Sequence, residues 1–92
     1  MSEYVSLQVE YSDDPAEIEI KINQRLTDME QEMYASIEEG ELGSPIAQML
    51  FQIEGIRAMT IYPDTLIIWR ELDTAWEIIV DEVRDALRDF YL

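Results

Sequence analysis

Residues 56–70 read Ile-Arg-Ala-Met-Thr-Ile-Tyr-Pro-Asp-Thr-Leu-Ile-Ile-Trp-Arg, and the way this stretch pairs with itself decides the fold. Pro63 presets the backbone angle at the second position of a turn, Tyr62-Pro63-Asp64-Thr65, so the flanking runs read as the two strands of a hairpin. With Tyr62 opposite Thr65, Met59, Ile61, Leu66 and Ile68 share one face, while Ala58, Thr60, Ile67 and Trp69 share the other. Both faces are apolar. The first is the expected core face, which leaves an isoleucine and a tryptophan on a side that antiparallel sheets commonly turn to water.

Upstream, Ser44-Pro45 is a helix start: a serine side chain accepts one of the orphan backbone N–H groups, and proline at the first helical position loses nothing by lacking one. The expected helix runs to Glu54, with Ile46, Met49, Leu50 and Ile53 as its apolar stripe and Gly55 as its left-handed stop. Downstream, Thr74 and Glu77 are spaced as a capping box that opens a helix reaching about Phe90. Trp76, Ile79, Val80, Val83, Leu87 and Phe90 form its inner stripe, and Glu77, Asp81, Arg84, Asp85 and Arg88 face water, where Asp81 with Arg84 and Asp85 with Arg88 are spaced for weak pairs.

Toward the N-terminus, Val5, Leu7, Val9 and Tyr11 alternate with polar residues, which predicts a strand over 4–11. Ser12-Asp13-Asp14-Pro15 breaks the chain, and 17–22 resumes the alternation with three isoleucines on one face, so the two strands form an antiparallel hairpin with Glu10, Glu17, Glu19 and Lys21 outside. Residues 27–39 admit two readings. Thr27 to Glu30 fits a capping box and Met29, Met33 and Ile37 recur every four residues, as on a helix, yet the apolar spacing is uneven and residues 38–43 offer a loop with two glycines.

The chain has 92 residues, the size of a single domain spanning 1–92, with 48% apolar residues that suffice for one core. Its 21 acidic and six basic side chains give a net charge of −15, which disfavours binding to nucleic acid or anionic membrane. Cysteine and histidine are both absent, so thiolate and imidazole chemistry is excluded and no iron–sulfur cluster, zinc or other cofactor is expected. The carboxylate groups Asp13-Asp14 and Glu38-Glu39-Glu41 lack the spacing of a calcium loop and read as solvated turns. No catalytic residue and no metal site emerge, no apolar run is long enough to span a membrane, and a non-enzymatic cytoplasmic protein is the expectation.

The run Gly43-Ser44-Pro45-Ile46-Ala47-Gln48-Met49-Leu50-Phe51-Gln52-Ile53-Glu54-Gly55-Ile56 resembles the N-terminal domain of Nfu/NifU-like iron–sulfur scaffold proteins. That family's pattern has Ser-Pro-Leu-Ala, then Leu-Phe and Ile-x-Gly-Val, a hairpin with Pro-Asp, and a Trp opening the last helix. Here these positions are Ser44 to Ala47, Leu50, Phe51, Ile53, Gly55, Ile56, Pro63, Asp64 and Trp76, and the spacing matches without gaps over residues 43–70. The resemblance implies a two-layer α+β fold, an antiparallel sheet with two helices on one face, in the order strand-strand-helix-strand-strand-helix. It also favours an extra short strand near 31–36. Three features depart from the family: Thr65 replaces an aromatic, Asp14-Pro15-Ala16 replaces an early Asn-Pro-Asn turn, and the Cys-x-x-Cys domain that carries the cluster in Nfu proteins is absent from these residues.

The face carrying Ala58, Thr60, Ile67 and Trp69 is the candidate partner-binding site, because the resemblance implies small or hydroxylated residues where this chain has Ile67 and Trp69. Either a neighbouring segment covers these side chains or they form an exposed patch of the kind that marks an interface. The resemblance then implies an interaction module bound to a protein partner of iron–sulfur cluster assembly, with a weak homodimer as a second use of the patch. The acidity supports one alternative, a decoy that occupies a basic nucleic-acid-binding surface.

Overall fold

The Tyr62 N–H donates to the Thr65 carbonyl at 2.8 Å, and behind this turn Ile61 faces Leu66, Thr60 faces Ile67, Met59 faces Ile68 and Ala58 faces Trp69, the register the sequence predicts. A computed structural model describes residues 5–91. Along the chain run β1 (Leu7–Tyr11), β2 (Glu17–Ile22), β3 (Glu32–Tyr34), α1 (Ile37–Glu41), α2 (Pro45–Leu50), β4 (Ile56–Ile61), β5 (Thr65–Arg70) and α3 (Trp76–Tyr91). The strands form one antiparallel sheet in the order β1-β2-β5-β4-β3.

One sheet face and two helices share a single core. Ile18, Ile20, Met59, Ile61, Leu66 and Ile68 are fully buried beneath Leu50 of α2 and Ile79, Val83 and Leu87 of α3. To reach β3 at the far edge, the chain leaving β2 crosses the end of the β4–β5 hairpin. There the Ile22 and Leu26 N–H groups donate to the Asp64 and Pro63 carbonyls at 2.8 and 2.7 Å, so the turn anchors the crossing segment. The Tyr91 hydroxyl then ties the end of α3 to the Arg25 carbonyl at 2.7 Å.

Several local expectations are corrected. β1 starts at Leu7, and Tyr4 lies outside the described residues. The helical reading of 27–39 fails except at its last three residues: Met29, Met33 and Ile37 are all exposed, and residues 32–34 pair with β4 instead, in line with the short strand near 31–36. Residues 38–41, where the sequence offers a loop, instead lie with Ile37 in α1, in which the Ser36 hydroxyl accepts the Glu39 N–H at 3.2 Å. The helix after Ser44 ends at Leu50 rather than Glu54, because from Gln52 onward the backbone tightens to three-residue bonds that lead into Gly55, at φ 99°, and β4. The last helix begins at Trp76, two residues past Thr74, whose hydroxyl pairs with the Asp73 carboxylate rather than capping. Phe90 is exposed, and of the two expected surface pairs only Asp81–Arg84 closes among the described residues, at 3.0 Å.

Candidate partner-binding face

Pairing lays the outer face of the sheet out in rows. In one row Glu19 neighbours Ile67, Thr60 and Met33; in the next, Glu17 neighbours Trp69 and Ala58. Helices α2 and α3 pack on the opposite face, so Ala58, Ile67 and Trp69 are covered only in part, and Met33 is 66% exposed. Thr60 differs from the expectation of a contact residue. At 5% exposure, between Ile67 and Met33, it is the floor of the patch.

The four predicted residues do not all line one depression. Ala58, Thr60 and Trp69 border a groove of about 360 Å³ together with Met33, Arg57 and Glu39, while Ile67 lies beyond it toward Glu19. Sequence reasoning missed Met33 and Arg57. Arg57 is the extra residue of a bulge between Ile56 and Ala58, which breaks the period of two and brings a second cation to a face whose β2 side carries Glu17, Glu19 and Lys21.

The far edge is fixed by a buried carboxylate. Glu32, on the helix side of β3, accepts the Tyr34 and Ser44 hydroxyls at 2.5 and 2.7 Å, and the Ser44 oxygen in turn accepts the Ala47 N–H at the start of α2. Burial pushes the Glu32 carboxyl up, but hydrogen bonds from Thr27, Tyr34 and Ser44 together outweigh it and hold the group below its ordinary value. Burial and the bond to Glu32 raise the Tyr34 hydroxyl. A depressed carboxyl contributes stability that is present above its unfolded pKa and is lost as pH falls through its folded value. Glu32→Gln is therefore expected to cost about 1 kcal/mol at neutral pH, with the gap to the parent narrowing toward pH 3 in urea unfolding. A gap independent of pH would show that Glu32 carries no linked charge.

Among the described residues no cluster of three or more Asp or Glu converges into a metal site. With no Cys and no His, the residues present do not fit the ligation of an iron–sulfur cluster.

Comparison with solved structures supports the fold. A solution NMR structure of a NifU-like protein from Saccharomyces cerevisiae superposes with a TM-score of 0.77 at 16% identity, covering 96% of this chain and 79% of that one. The crystal structure of protein SAV1430 from Staphylococcus aureus gives 0.71 at 13% identity, covering 89% and 98%. Among curated proteins, the mitochondrial NFU1 iron–sulfur cluster scaffold homolog of Drosophila ananassae is 39% identical over 49 residues, 53% of this chain but only 17% of that protein. That of Drosophila persimilis is 38% identical over 48 residues, 52% of this chain and 17% of its own length. The family model described as the N-terminal part of the scaffold protein Nfu/NifU matches residues 7–92, and the chain belongs to that family.

Proposed function

We propose that this domain is a non-catalytic interaction module whose outer sheet face docks a protein of iron–sulfur cluster assembly, the thiolate ligands coming from outside these 92 residues. The observation that carries the reading is the apolar strip of Met33, Ala58, Ile67 and Trp69 left outside the core, with Glu17 and Glu19 along its border. Tryptophan is a frequent interface anchor, and an acidic border selects a partner that presents an apolar residue ringed by Lys or Arg. The curated relatives are named as mitochondrial iron–sulfur cluster scaffold homologs. For this chain a cytoplasmic location is part of the proposal, alongside the finding that no described helix is long and apolar enough to cross a membrane.

Affinity capture tests the proposal. Immobilised parent protein should retain cluster-assembly or cluster-carrying proteins at low salt, and the double variant Trp69→Ser with Ile67→Thr should not. Equal recovery on both would reject the face, and self-association abolished by the same variant would assign it to a homodimer instead.

A further inference from the structure

α3 sorts its surface charge by side. At about 100° per residue, Glu77, Asp81, Arg84 and Arg88 fall on one flank of the core stripe, where Arg84 closes on Asp81. Glu82 and Asp89 fall on the other flank and Asp85 beside them on the outer side opposite the stripe, and among the described residues no cation pairs with any of the three. This acidic flank faces the end of α2 across a groove of about 400 Å³ whose apolar lining is Met49, Ile53 and Ala86. Charge and shape coincide there. A depression floored by Met49, Ile53 and Ala86, with Gln52 beside them and three exposed carboxylates along α3, matches a segment that carries an apolar stripe between cations.

We propose that the α2–α3 groove docks a short basic amphipathic helix of a protein partner. Its apolar stripe packs on Met49, Ile53 and Ala86, and its Lys or Arg side chains meet Glu82, Asp85 and Asp89. A helical occupant follows from the spacing. The carboxylates stand at positions i, i+3 and i+7 over about 10 Å, the length of two helical turns, so cations at the same intervals on an adjacent helix reach all three. The groove lies on the helix layer, across the sheet from Ile67 and Trp69, so it stands apart from the proposed face and is tested separately.

The test titrates the isotope-labelled protein with a synthetic Lys/Leu peptide of about 14 residues, helical with one leucine stripe, and with a scrambled peptide of the same composition. Amide shifts should concentrate at residues 49–53 and 82–89, with the striped peptide binding about tenfold more tightly than the scrambled one. Glu82→Gln/Asp85→Asn/Asp89→Asn should weaken the striped peptide about tenfold, and the charge-matched Glu38→Gln/Glu41→Gln/Glu71→Gln less than about twofold. Trp69→Ser/Ile67→Thr should bind it as the parent does. Equal weakening by the two triple variants would reduce the effect to bulk charge and overturn the proposal. Equal binding of the scrambled peptide, or shifts centred on residues 58–69, would overturn it as well.

Discussion

Trp76→Ala is expected to cost about 3–5 kcal/mol, a large part of the stability of a domain this small. The indole is 7% exposed where α3 enters the core, and it joins three elements. Its Nε1–H donates to the Pro15 carbonyl at 3.1 Å in the turn between β1 and β2. The Arg70 guanidinium at the end of β5 lies 4.9 Å from the ring centroid while its Nε–H donates to the same carbonyl at 3.0 Å. Truncation removes the ring and leaves a cavity, although Arg70 still satisfies Pro15, so most of the loss is packing rather than hydrogen bonding. Trp76→Phe keeps much of the volume and should cost only about 1 kcal/mol. Urea unfolding of the two variants checks both figures, and near-parental stability of Trp76→Ala would mean that the inner face of α3 is misassigned.

Trp69→Ser with Ile67→Thr should show the opposite balance, a small effect on folding and a large one on binding. Both side chains stand outside the core and the replacements are tolerated in strands, so unfolding free energy should change by no more than about 1 kcal/mol. Loss of a central aromatic anchor costs an interface about 2 kcal/mol or more, so affinity for the partner should fall by at least about thirtyfold. The parent complex should also weaken as salt screens the acidic border formed by Glu17 and Glu19. A drop of several kcal/mol in stability would instead make these residues part of the core.

How far the sequence could be read depended on whether local chemistry and long-range pairing agreed. In residues 56–70 they agree, since the Pro63 turn sets the register and every other residue then has a defined face. In residues 27–39 they conflict. The four-residue spacing of Met29, Met33 and Ile37 imitates a buried helical stripe, but β3 gains its hydrogen bonds from β4, nearly thirty residues away, and all three side chains stay exposed. The buried carboxylate of Glu32 left no periodic trace either, because its donors Thr27, Tyr34 and Ser44 come together only in the folded chain. The candidate face was legible as far as the hairpin reached. Ala58, Ile67 and Trp69 follow from counting, whereas Arg57 required the bulge and Met33 required the edge strand.

The most direct test of the central claim is to map the amides of the labelled domain that shift when a cluster-assembly protein recovered by the parent is added. The account predicts that shifts centre on residues 33, 58, 60, 67 and 69 and vanish in the Trp69→Ser/Ile67→Thr variant; shifts confined to α2 and α3, or retained in the variant, would contradict it.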